Sequence, residues 1–419
     1  MHKQFFLLLT LCWINSVTGQ VYIKKYVKNN IIPIKSVDPD STNYSDLEAI
    51  GIAIGNSKIV MLGEQDHGDA PAFLAKTRLI KYLHEKKGFN VIAFESDFFG
   101  LNFGWDNLTK TPASVRGYLH QNIFPIWAGC NACWPLLENY IPNSYLTPSP
   151  LSVTGFDNQM ILEYSSKFLI SKLDSVLRSL DLPITKQENY RIEILPLIDS
   201  LSLRYRIPPK DTTLYTKCGQ YLTTIKKQAD QKLNKSDYWW VIIENLLQEN
   251  IEYQASKTNW RLSMNTRDRQ MAVNLKWLAE NKFPNDKIIV WAANYHIAKY
   301  GDSTNKDKTL ISMGNYFTRD SSLMNSTYII GFTSYDGEAG RLGRKDFSIN
   351  KPRRNGFETW INESYDYAFI DFKRYTKLFP GKTEKFYLKG LFHISFITEW
   401  PKIFDGVFYI KKMYPCRKY

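Results

Sequence analysis

Beyond its first residues the chain has no apolar run approaching the roughly eighteen uncharged residues of a membrane helix, so no later spanning segment is expected. Histidine and cysteine are scarce, with six histidines (His2, His67, His84, His120, His296 and His393) and five cysteines in 419 residues. No G-x-S-x-G nucleophile elbow is present, and neither cysteine of the one C-x-x-C pair adjoins a suitable histidine. Direct attack by an activated water is therefore preferred over a covalent intermediate. The chain also lacks H-E-x-x-H and a second C-x-x-C, the strongest zinc signals. No helix-turn-helix, finger or aromatic and glycine signature points to nucleic acid, and no internal repeat is evident.

What is present suits a folded domain, with 44% hydrophobic and 15% aromatic residues. Residues 1–19 read as a signal peptide: Lys3, an apolar stretch from Phe5 to Ile14, then small residues up to Gly19. Cys12 follows Leu11, a poor lipid-attachment context, so export to the periplasm or medium ranks ahead of a lipoprotein. The formal charge of +13 falls to about +12 when Lys3 leaves with the signal. Such an excess suits anionic envelope surfaces or acidic glycans, but a solvated surface is the commoner meaning and ranks first. Cys130 and Cys133 lie in a loop where an oxidising compartment favours a disulfide.

The pattern along the chain is α/β. Ile59 to Leu62 is an apolar run of strand length, Asp69 and Pro71 open a helix as capping acid and first-turn proline, and Gly88 ends it. His84, near the end of that helix, reads as a surface residue. Val91 to Phe94, Leu151 to Phe156, Lys287 to Ala292 and Thr327 to Thr333 are further strands. Two β-like runs, Phe392 to Thr398 and Phe404 to Lys411, are expected at the sheet edge. The expected architecture is a central, mainly parallel sheet flanked by helices, with an inserted helical subdomain over the strand carboxyl ends. Its parts are a first core segment at 20–159, the insertion at 160–282 and a second core segment at 283–419.

Parallel strands gather their carboxyl ends at one sheet edge, where ligands bind. Four strands in this chain end in chemistry: Glu64 and His67, Glu95, Asp157, and Asn294 to His296. The positive end of the following helix favours a neutral His67 able to take a proton, with Glu64 or Glu95 fixing its tautomer. On the helix expected at Met264 to Asn281, Arg267, Met271, Asn274 and Leu278 share one face. A partly buried arginine needs a carboxylate, and Glu64, Glu95 and Asp157 are the candidates. His296 or Arg267 would stabilise an oxyanion. The same histidines and carboxylates would also make a reasonable zinc or manganese shell, and a cleft holding a glycan or lipid without turnover is the non-catalytic alternative.

These motifs resemble the erythromycin esterase family: Leu62-Gly63-Glu64-Gln65-Asp66-His67-Gly68, Arg78-Leu79, Gly88-Phe89 to Glu95, Gly155-Phe156-Asp157-Asn158-Gln159, Arg267 to Asn274, Trp291 to His296 and Phe404-Asp405-Gly406-Val407. The resemblance implies an α/β fold with a helical subdomain, and a histidine-activated water that hydrolyses a small-molecule ester or macrolide lactone. It implies no obligatory metal or cofactor, and a role in antibiotic resistance. His67 would be the base, with Glu64, Glu95, Arg267 and His296 around the cleft; Arg78, Asp157, Asn274 and Asn294 are the expected substrate-binding positions. One departure stands out. Ala293 occupies a position where the family commonly has histidine, a change expected to redirect the substrate or lower activity.

Overall fold

The computed structural model describes residues 20–203, 213–301 and 310–418; the expected signal peptide lies outside them. Eleven strands occur among the described residues: β1 (Ile32–Ile34), β2 (Ile59–Leu62), β3 (Val91–Asp97), β4 (Ser152–Asp157), β5 (Ile288–Trp291), β6 (Thr327–Ala339), β7 (Phe347–Ile349), β8 (Tyr367–Asp371), β9 (Phe386–Leu391), β10 (Ile394–Thr398) and β11 (Gly406–Met413). The main sheet runs β1-β8-β11-β6-β2-β5-β3-β4, and β7 pairs with β6 off that path. From β11 to β4 every pairing is parallel; β8 and β1 extend the sheet antiparallel.

Both sheet faces are covered, as near-continuous apolar strands require. Ile59 and Met61 of β2 enter one core cluster, and Val60 and Leu62 enter the other. Helix α1 (Ala70–Lys87) packs on the second face through Phe73, Leu79 and Leu83. The first face is covered by helices that run between β4 and β5, namely α2 (Glu163–Ser179), α3 (Leu195–Leu203), α4 (Thr213–Ala229), α5 (Tyr238–Thr258) and α6 (Trp260–Trp277). No helix among the described residues is long and apolar enough to cross a membrane.

Three sequence expectations change. The run ending at Lys411 does not form an edge: β11 lies between β8 and β6, and its first five residues are buried. Consecutive burial on both faces is the mark of an interior strand; β8 and then β1 lie beyond it, with β1 at the edge. The other run, β10, leaves the main sheet altogether and pairs with β9 as a hairpin. Asp69 sits before α1 without capping it; its carboxylate accepts from the Asp66 N–H at 2.9 Å and faces His393 Nε2 at 2.9 Å.

The cysteines also pair differently. Cys130 bonds Cys416, with Cα atoms 5.7 Å apart, while Cys133 is a buried free thiol. Cys133 closes a tight turn on the Cys130 carbonyl, and its thiol lies near the charges of Lys76 and Glu64. Cys130 instead faces residues 416–418, and Asn131 N–H donates to the Arg417 carbonyl at 3.0 Å. Cys416→Ser should lower the unfolding free energy by about 2–4 kcal/mol, read from the urea midpoint of oxidised protein. An unchanged midpoint would show that this link does not stabilise the fold.

Candidate active site

Strands β2, β5, β3 and β4 are neighbours, so their carboxyl ends bring the strand-end residues together. Gly63 permits the first turn, since a Cβ there would collide with the Asn294 side-chain oxygen. His67 follows, 15% exposed at its side chain. Its Nδ1 lies 3.2 Å from Glu64 Oε1, and its ring meets Trp127 edge-on at 5.2 Å. With Glu64 accepting from Nδ1–H, the lone pair sits on Nε2, the position needed to take a proton from water.

Behind Glu64 stands a residue that sequence reasoning missed. Lys76 of α1 is wholly buried, donates to Glu64 Oε2 and lies 3.8 Å from the centre of the Trp291 ring. Burial pulls its ammonium below the usual lysine range, and Glu64 offsets part of that. The signal was available: Ala72, Lys76, Leu79 and Leu83 form one buried stripe at helical spacing.

Across from this pair, α6 delivers Arg267, again 15% exposed. It binds Asp157 through Nε at 3.2 Å and Nη2 at 2.6 Å, and Nη2 reaches Glu95 Oε1 at 3.1 Å. Of its three candidate partners two are used; Glu64 is taken by Lys76. The next residue, Asp268, also unforeseen, accepts from Met313 N–H at 2.7 Å and faces His296 Nδ1 at 2.9 Å. His296 Nε2 lies 3.2 Å from Glu95 Oε1 and 3.4 Å from Arg267 Nη1. Burial works against the imidazolium, yet Asp268 and Glu95 more than offset it and raise the His296 pKa.

Glu95 links the two sides. Burial alone would raise its carboxyl; the charges of His296, His67 and Arg267, with the Ala293 N–H at 2.9 Å, bring it down to about 2. The pH signs follow. Stability from Glu95 is complete above the ordinary carboxylate pKa of 4.5 and is lost as pH falls towards 2. Stability from charged His296 is complete below 6.5 and is lost as pH rises through its elevated folded value. Urea midpoints should therefore fall on both flanks, and His296→Asn should remove the alkaline decline; an unaltered alkaline flank would contradict this.

The expected substrate-binding positions divide. Asp157 stays at the cleft as partner of Arg267. Arg78 does not reach it: the guanidinium is buried against Asp46 at 2.7 Å and the Ser36 and Asn43 carbonyls at 2.6 Å, pinning the 36–46 segment to α1. Asn274 joins α6 to Asn245 of α5 and to the Phe156 carbonyl. Asn294 spends its amide on Phe332 and the Gly390 carbonyl. Their polar groups hold the scaffold. His84, expected at the surface, is half-buried with Nδ1 2.8 Å from the Tyr140 hydroxyl.

The erythromycin esterase family model matches residues 84–413. The chain belongs to the erythromycin esterase family. Membership makes it a hydrolase of that family, and Glu64 and His67 precede the matched segment. The Bacillus subtilis (strain 168) protein YbfO, named as a hydrolase, is 27% identical over 358 residues, covering 80% of this chain and 77% of that protein. Erythromycin esterase type II of Escherichia coli is 22% identical, with 93% and 97% covered. The solved structure of an erythromycin esterase mutant in its open conformation superposes with a TM-score of 0.68 at 17% identity, covering 90% of this chain and 96% of that one. That likeness shows the fold.

Proposed function

We propose that the cleft hydrolyses a carboxylic ester or macrolide-like lactone of a small molecule with a water activated by His67. The observation that carries this reading is the relay Lys76, Glu64, His67, in which a buried ion pair fixes the imidazole through Nδ1. His67 Nε2 takes a proton as the water oxygen attacks the carbonyl carbon. The oxyanion that forms is stabilised by the cations opposite, His296 and Arg267. Collapse breaks the bond to the alcohol oxygen, which leaves with the proton held by His67. Ala293, whose N–H donates to Glu95, stands where the family commonly has histidine, which favours an altered substrate over erythromycin itself, and resistance to an antibiotic becomes one use among several.

The donor set suits this reading better than a metal centre. Glu64 is engaged by Lys76, and Glu95 and Asp157 by Arg267, so protein cations already neutralise the carboxylates a divalent ion would need. Export is part of the proposal, and the Cys130–Cys416 disulfide suits an oxidising compartment.

The test is incubation of the purified mature protein with a panel of macrolides and simple esters, with and without chelator. Hydrolysis that survives chelation supports the proposal. Loss on chelation transfers the chemistry to a metal, and absence of turnover across the panel favours a binding protein.

A further inference from the structure

The β9–β10 hairpin presents apolar side chains that the described residues leave exposed. Phe347 on β7 and Phe392, Ile394, Phe396 and Ile397 on the hairpin are each 39–58% exposed. Large apolar side chains scattered singly are ordinary; a contiguous set rimmed by charge marks an interaction site. Contacts place the segment that bears Phe347 beside the hairpin. Phe347 meets His393 at the hairpin tip, with ring centres 6.3 Å apart. Lys389 of β9 donates to the Asn350 carbonyl at 3.0 Å. Gly356 packs on Tyr387, whose partner across the hairpin is Ile397. The segment 347–356 therefore runs alongside the hairpin for most of its length.

That flanking segment is basic. Arg344, Lys345, Lys351, Arg353 and Arg354 are all exposed, while the one acid between them, Asp346, is paired with Arg417 at 2.7 Å. The hairpin itself, residues 386–398, contains no acid. Apolar side chains beside a row of cations match an interface with hydrocarbon beneath anionic headgroups. A second copy of the chain is a poorer fit, because it would set two cationic faces of a +13 protein together.

We propose that this face docks on an anionic lipid surface, the hairpin entering the headgroup layer and the 344–354 segment meeting the headgroups. The docked face borders the cleft, since Phe392 stacks on Tyr295, the neighbour of His296, at 6.2 Å, and Gln65 holds the Phe392 carbonyl at 3.1 Å. The inference does not depend on the hydrolytic reading, because it is tested by binding alone.

The experiment is flotation of the full mature protein with vesicles of phosphatidylcholine alone or mixed with phosphatidylglycerol. The parent should partition onto the mixed vesicles and fall off as salt is raised. The paired changes Ile394→Ser with Phe396→Ser, and Arg353→Glu with Arg354→Glu, should each weaken partition by about tenfold or more. Both pairs are exposed, and each variant's thermal midpoint checks its fold; either pair alone suffices if the other fails to fold. Equal binding to the two vesicle types, or unchanged partition in a folded variant, overturns the proposal. Self-association of the parent without vesicles, abolished by Ile394→Ser with Phe396→Ser, assigns the face to a second copy and overturns it as well.

Discussion

Replacing His67 by alanine should lower kcat/KM on the best ester by about 10²–10⁴-fold, the range a positioned general base supplies. The loss should fall mainly on kcat, because the imidazole acts on a proton in flight. Stability should change little, since His67 is the outermost member of its relay and its removal leaves Glu64 still paired with Lys76. Glu64→Gln tests the relay one step back: an amide oxygen still accepts from Nδ1–H but stabilises the imidazolium less, so a smaller loss is expected. Activity within a few-fold of the parent in His67→Ala, measured at saturating substrate with the protein confirmed folded, would remove His67 from the mechanism and with it the water-activation scheme.

Lys76→Met should be the most destabilising single change at the site. Methionine fills nearly the same volume, but it strands the Glu64 carboxylate in the core, and breaking a buried pair from one side costs about 3–5 kcal/mol. Urea unfolding measures that cost. The sign of the double change is the sharper test. Lys76→Met with Glu64→Gln removes both charges and should recover most of the stability, while activity stays low because the carboxylate behind His67 is gone. If the single and double variants are equally unstable, the contact of the lysine ammonium with the Trp291 ring outweighs its pairing with Glu64, and the ion pair is not what holds the turn.

Much of the site was legible because parallel strands report their own ends. An apolar run followed at once by Glu64 and His67, Glu95, Asp157 or His296 can only place those residues on one edge once the strands are adjacent. Arg267 was legible by helical spacing, and the same spacing carried Lys76 and Asp268, whose charges interrupt buried stripes. Trp127 and His393 were not legible: one comes to the His67 turn from a four-residue helix and the other from a hairpin turn, both far away in sequence, and elements so short carry no periodicity that marks a residue packing on a distant turn. Arg78, Asn274 and Asn294 show the converse. A polar residue inside a family motif can be kept for a backbone bond, and the hydrogen bonds alone distinguish that use from contact with substrate. The place of β11 was misjudged because an interior strand added late in the chain leaves the same apolar run as an edge strand.

The disulfide has a consequence for how the protein comes into being. Its two cysteines are 286 residues apart, and the segment bearing Cys416 also hydrogen-bonds Gly68 and Ala70 on either side of the turn that follows His67. β11, just before it, fills a central slot in the sheet. Contacts of such long range close late in folding. During synthesis the first half of the chain emerges with Glu64 and Lys76 beside its histidine but without the carboxyl-terminal segment that closes on the turn. Hydrolytic competence should therefore arrive in one step, after residues 406–416 have left the ribosome, so that the growing chain is silent until that segment has docked.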